Sequence, residues 1–167
     1  MKSLMQGRQA LCLLVLGGCL VQFNTAGAAP LNVTAPIAEV CELGTMGDVT
    51  FGNLTPGGGT DGTANGTVEW RCSNGTNADI AIDNGGNGNR TMDHATTAST
   101  LAYQLFQDAA RTSVWSDIGA DVGVTGTGIG GGFTTETVYG RVLSTDIDAA
   151  EVGSYSDTVD VTITVVP

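Results

Sequence analysis

Cys41 and Cys72 have the most definite chemistry open to them in this chain, since two thiols in one exported domain either close a disulfide or ligate a metal. The other two cysteines, Cys12 and Cys19, fall in an apolar leader, so an even pair remains beyond it. A zinc site would need two further ligands, and His94 and the carboxylates show no ligand spacing around either thiol. One disulfide is therefore expected, closing a loop of about 30 residues and contributing roughly 3 to 4 kcal/mol.

The remaining reactive types form weaker patterns. His94 is the single histidine, so a Ser–His–Asp hydrolase would have to run through it. It stands among Thr96, Thr97, Ser99 and Thr100 without a nucleophile-elbow sequence, which reads as a surface loop and not as an enzyme. Residues 83–89 are rich in Asp, Asn and Gly, but their spacing fits no EF-hand, and nonapeptide calcium repeats would require several copies. A glycine-rich hairpin loop is the simpler reading. The glycines of 126–132 lack the strand, helix and lysine of a phosphate loop and read as a flexible connection. No metal and no cofactor is expected.

Trp70, Trp115 and Tyr103 would suit either a sugar site or a core, and with 5% aromatics the core is the simpler assignment. Tyr155 and Asp157 are expected to bond locally near the start of the last strand. The sequons beginning at Asn32, Asn53, Asn65, Asn74 and Asn89 arise readily in a chain this rich in Asn and Thr, and receive no function.

The elements that must position these residues start after a targeting segment. Lys2 and Arg8 precede an apolar stretch from Ala10 to Val21, and small residues follow at Ala26, Gly27, Ala28 and Ala29. That is the layout of a secretory signal over residues 1–28, with cleavage before Ala29. Twelve apolar residues are too few to cross a bilayer. Leu16, Gly17, Gly18 and Cys19 also resemble a lipoprotein processing box, which makes lipid anchoring at Cys19 the minor alternative. Beyond residue 29 there is no lysine, and four arginines face 17 acids, a net charge of about −13. Such a chain is repelled by nucleic acid and by anionic membrane surfaces.

Helical periodicity is scarce beyond the leader, and alternation of period 2 recurs in short runs separated by Gly, Asn and Asp clusters. The clearest run sets Val159, Val161, Ile163 and Val165 on one face and Thr158, Asp160, Thr162 and Thr164 on the other. Residues 68–72 and 78–83 repeat the pattern, as do Leu101, Tyr103 and Leu105 in one run and Val138 and Val142 around Gly140. Turn-forming clusters lie at 56–62, 73–75, 83–89 and 123–132. An all-β sandwich of two antiparallel sheets is the economical architecture. Residues 29–40 carry their own alternation, with Leu31, Val33, Ala35 and Ile37 on one side and Pro36 interrupting. A proline there suits an edge strand, either the first strand of this domain or one lent to another subunit.

In order along the chain stand Cys41 and Leu43; Phe51, Gly52, Asn53, Leu54 and Pro56; Val68, Trp70, Cys72, Ser73, Asn74 and Gly75; then Ile80, Ile82, Asp83, Gly85, Arg90 and Met92. Leu101, Tyr103, Leu105, Phe106 and Asp108 follow, then Trp115, Asp117, Tyr139, Gly140 and Arg141, and finally Gly153, Tyr155, Asp157, Thr158, Val159, Val161 and Ile163. This order and spacing resembles the spore coat U domain family, which includes the Csu-type subunits of archaic chaperone-usher pili.

The resemblance implies an incomplete immunoglobulin-like β-sandwich over residues 41–167, completed by a donor strand. It implies a periplasmic chaperone, an outer-membrane usher and neighbouring pilin subunits as partners, with export through the periplasm to a surface pilus used in adhesion and biofilm formation. By position, Leu31, Val33, Ala35 and Ile37 are then the donor face, and Val159, Val161, Ile163 and Val165 the acceptor groove. The 12 residues 29–40 look short if they must supply both the donor and the domain's own first strand. The competing reading is a self-contained secreted coat protein or a carbohydrate-binding adhesin module.

Overall fold

A computed structural model describes residues 27–116 and 124–166. The chain divides into two units, 1–35 and 36–167. Within the first, residues 27–35 have no regular secondary structure. Residues 1–26 of the expected signal, the expected processing box at Cys19 and Asp117 lie outside the described residues. No helix among the described residues is long and apolar enough to cross a membrane.

The second unit is built almost wholly of antiparallel strands: β1 Cys41–Gly47, β2 Gly62–Cys72, β3 Asn77–Ile82, β4 Thr91–His94, β5 Thr100–Ala102, β6 Gln104–Phe106, β7 Val124–Thr127, β8 Thr134–Val142, β9 Tyr155–Ser156 and β10 Val161–Val166, with a short helix α1 Ser144–Ala149. One sheet runs β1-β2-β8-β6, a second β10-β3-β7 and a third, smaller one β5-β4-β9. Val68, Trp70 and Cys72 of β2, Leu105 of β6 and Val138 of β8 share a buried cluster with Ala78, Ile80 and Ile82 of β3 and with Trp115. The first two sheets thus meet face to face, each strand turning alternate side chains inward. Leu101, Val142 and Ile147 form a second cluster, against which Phe51, Leu54, Met92 and Tyr155 pack.

Several elements depart from the expectations. β2 reaches back to Gly62, because residues 62–70 are laddered to β8, from Gly62↔Val142 to Trp70↔Thr134. The low strand propensity of residues 62–66 is overridden by pairing. The stretch 126–132 is not merely a flexible connection. Gly126 lies in β7 opposite Ala78, and a Cβ there would collide with the Trp70 ring, so the glycine is what lets β7 cross that indole.

The run through Leu101, Tyr103 and Leu105 is two strands in two sheets. Tyr103 donates its N–H to Arg90 C=O (2.9 Å), one rung past the β4–β5 ladder, and Arg90 at φ +57° turns the partner strand away. The chain then pairs with β8 as β6. β10 starts at Val161 rather than near Val159, because the Asp83 carboxylate takes the Asp160 N–H at 2.9 Å, where a regular ladder would use the carbonyl. α1 leaves no mark in the sequence, since six residues are too few to carry a helical period.

Candidate functional site: an open cleft between two sheet edges

β1 closes one side of the first sheet and β10 one side of the second. Their Cα atoms come within 8 Å of each other, yet among the described residues β1 is paired only with β2 and β10 only with β3. The direction of the free groups follows from the ladders. Asp83 N–H donates to Asp160 C=O (3.0 Å), so the alternation of an antiparallel pair turns the N–H and C=O of Val161, Ile163 and Val165 away from β3. Ser73 N–H donates to Val40 C=O (2.8 Å), and the same alternation turns those of Cys41 and Leu43 away from β2.

The side chains tell the same story. Ile80 and Ile82 on β3 are fully buried, whereas Val159, Val161 and Ile163 on the neighbouring segment, and Cys41 and Leu43 on β1, are only half-buried although they pack on the same cluster. Val165 is 38% exposed. A stripe of core and two rows of unspent backbone groups therefore border one cleft. Of the groove residues expected from sequence, three lie on β10 and Val159 just ahead of it; the opposite wall is β1, whose only sequence signal is the alternation of Cys41 and Leu43 with Glu42.

The cysteines come together as expected, in a Cys41–Cys72 disulfide with Cα atoms 4.1 Å apart, a directly opposed pair at the first rung of β1. Ser73 reinforces the junction: its Oγ donates to Ala38 C=O and accepts from Val40 N–H, both at 3.1 Å. Glu42 pairs with Arg71 on the outer face, and the Arg71 guanidinium lies 4.7 Å from the Phe133 ring centroid. The domain's first strand begins at Cys41 and is tied to Ser73 back to Ala38, so residues 29–37 are not part of it. Leu31, Val33 and Ile37 are 88%, 87% and 90% exposed, and Ala35 is exposed as well.

A polar network sits where the chain enters β10. Asp157 Oδ2 accepts the Tyr103 hydroxyl at 2.6 Å, and its Oδ1 accepts the N–H groups of Gly86 (3.0 Å) and Thr158 (2.8 Å). Asp83 Oδ1 accepts from Gly85 N–H and Asp160 N–H, both at 2.9 Å. Gly85 has φ +76°, and a Cβ there would run into the Asp157 carboxylate. The pair Tyr155 and Asp157 was expected to bond locally. Tyr155 does, donating its hydroxyl to Glu151 C=O (2.9 Å), and Asp157 does so with Thr158 N–H while also reaching across the fold to Tyr103 and Gly86.

Burial, followed by the hydrogen bond to Asp157 and that carboxylate's charge, pushes the Tyr103 phenol well above its ordinary range. The native state thus holds the phenolic proton more tightly than the unfolded chain. This contribution is complete below the unfolded phenol pKa of about 10 and is lost as pH rises beyond it. With no lysine beyond residue 29 to titrate in the same window, melting temperature is expected to fall above about pH 10. Tyr103→Phe should flatten that fall, as a thermal scan from pH 7 to 11 would register.

The other candidates resolve structurally. Trp70 and Trp115 are buried, the latter 0% exposed with its Nε1 donating to Ile80 C=O (3.0 Å). Both indoles belong to the buried cluster between the first two sheets. His94 is the last residue of β4, not a loop residue. Its Nδ1 accepts from Thr96 and Thr97 N–H (3.2 and 3.1 Å), which leaves Nε2 to donate to Val152 C=O (3.2 Å). Residues 83–90 form the β3–β4 connection, and no group of three or more His, Cys, Asp or Glu among the described residues is placed to hold a metal ion.

A family model described as the Spore Coat Protein U domain matches residues 28–162. No curated protein sequence matches significantly. Among solved structures, the chain is similar to one in the crystal structure of the CsuC–CsuE chaperone–tip adhesion subunit pre-assembly complex from the archaic chaperone-usher Csu pili of Acinetobacter baumannii. Identity is 20% and the TM-score 0.52, over 76% of this chain and 40% of that one. The likeness is one of fold, and the chain spans about two fifths of its neighbour's length.

Proposed function

The chain belongs to the Spore Coat Protein U domain family, and from that premise we propose that it is a structural, non-enzymatic subunit of a surface pilus, assembled by the chaperone-usher route through donor-strand exchange. The observation that carries this reading is the cleft between β1 and β10, where half-covered core side chains and outward backbone groups lie together. An added strand satisfies both at once.

In this reading residues 1–28 are removed on export, and a periplasmic chaperone fills the cleft in transit. At the outer-membrane usher that strand gives way to residues 29–40 of a neighbouring subunit. Leu31, Val33, Ala35 and Ile37 enter the cleft against Val159, Val161, Ile163 and Val165, each larger side chain contributing roughly 1.5 to 3 kcal/mol by burial. Pro36 lacks an N–H, so only one edge of the incoming strand forfeits a rung. The fibre serves adhesion and biofilm formation. The burial of Trp70 and Trp115 favours the core reading of these two residues over the carbohydrate-binding alternative.

Material sheared from the cell surface, run on a denaturing gel unheated and boiled, tests the proposal. A ladder at subunit multiples that collapses on boiling is expected. A single monomer band in both lanes would overturn it.

A further inference from the structure

We infer that Asp83, Tyr103 and Asp157 form a latch that holds β10 in register while the cleft is empty, so that the incoming strand meets a formed edge; the inference rests on the donor-strand reading above. β10 has six residues, a ladder on one side only and half-exposed apolar side chains, the conditions under which a strand frays locally. At its start a single backbone bond, from Asp83 N–H to Asp160 C=O, is reinforced by side chains. Asp83 receives the Asp160 N–H on its side chain, and Asp157, three residues earlier, is gripped by Gly86 N–H and the Tyr103 hydroxyl.

These bonds join three separate parts of the chain. Residues 83–86 lie in the β3–β4 connection, residues 157–160 lead into β10, and Tyr103 stands where the chain passes from the third sheet to the first. The buried Arg90 guanidinium beneath them donates Nη2 to Ile82 C=O (2.9 Å) and Trp115 C=O (3.0 Å), which ties the same corner to the core. The latch thus anchors Val159 and Val161, at one end of the groove wall, to both packed sheets. Once a strand fills the cleft, β10 gains a second ladder and the latch contributes less. A positioning role therefore weighs most on the empty state, whereas a general structural role weighs equally on both.

The test uses the chain from residue 29 onward, at a concentration where it is monomeric, with a synthetic peptide of residues 29–40 as the added strand. A second form carries the same twelve residues joined by a flexible linker after Pro167, so that its cleft is filled from within. Tyr103→Phe and Asp157→Asn, both nearly isosteric, are expected to weaken peptide binding about tenfold by lowering the population with a formed edge. They are also expected to lower the melting temperature of the open chain more than that of the filled form, and to speed amide exchange in Val161–Val166 of the open chain only. Wild-type binding that the variants leave unchanged, or equal melting losses in both forms, would overturn the latch alone. Failure of the wild-type chain to bind the peptide would overturn the donor-strand reading and the latch with it.

Discussion

Replacing Cys41 and Cys72 by serine is expected to destabilise the domain by about 3 to 4 kcal/mol, a large part of the roughly 5 to 15 kcal/mol that holds a domain together. The bond spans 31 positions, so its loss returns considerable loop freedom to the unfolded chain. The native state suffers too. β1 is an edge strand with a single ladder, and its register to β2 is interrupted between Leu43 and Met46, so the disulfide at its first rung is what secures the wall of the cleft. Urea titration of the oxidised chain against the serine variant measures the difference: the midpoint should drop and the slope should rise, since the unfolded chain exposes more surface without the cross-link. An unchanged midpoint would mean that the β1–β2 ladder and the Ser73 bonds suffice.

Deleting residues 31–37 is expected to abolish fibre assembly while leaving the domain folded. The side chains removed are exposed, the first strand begins beyond them at Cys41, and the Ser73 bonds to Ala38 and Val40 are retained. Circular dichroism and the melting curve should match the parent chain, with loss of the heat-sensitive ladder in sheared material. A milder substitution, Val33→Asp, should act in the same direction, since an unpaired carboxylate in an apolar cleft costs several kcal/mol. Normal fibres from the deletion would remove residues 31–37 from the donor role.

Much of the fold is written locally. Strands whose alternate residues are apolar, such as 78–82 and the run through Val161, Ile163 and Val165, are legible because burial on one face of a sheet leaves a period of 2 in the sequence. The disulfide is legible because only two of the four cysteines lie beyond the apolar stretch 10–21. β7 and the first half of β2 are not legible. Their glycines and polar residues carry turn propensity, and only cross-strand pairing with Ala78 or with β8 makes them strands. The sheet switch at Tyr103 is hidden for a different reason: alternation runs unbroken through Leu101, Tyr103 and Leu105 while the partners change from β4 to β8.

The candidate site divides along the same line. Amino-acid sequence by itself determined an all-β domain, the Cys41–Cys72 bond, an apolar alternation before the domain and another at its end. Tertiary structure alone decided that the last strand lies on a sheet edge, that β1 stands across from it, and that Asp83, Tyr103 and Asp157 converge where β10 begins. The physical reason is that alternation reports which face of a strand is buried. It carries no record of which edge lacks a neighbour, and edges are settled only when distant segments pair.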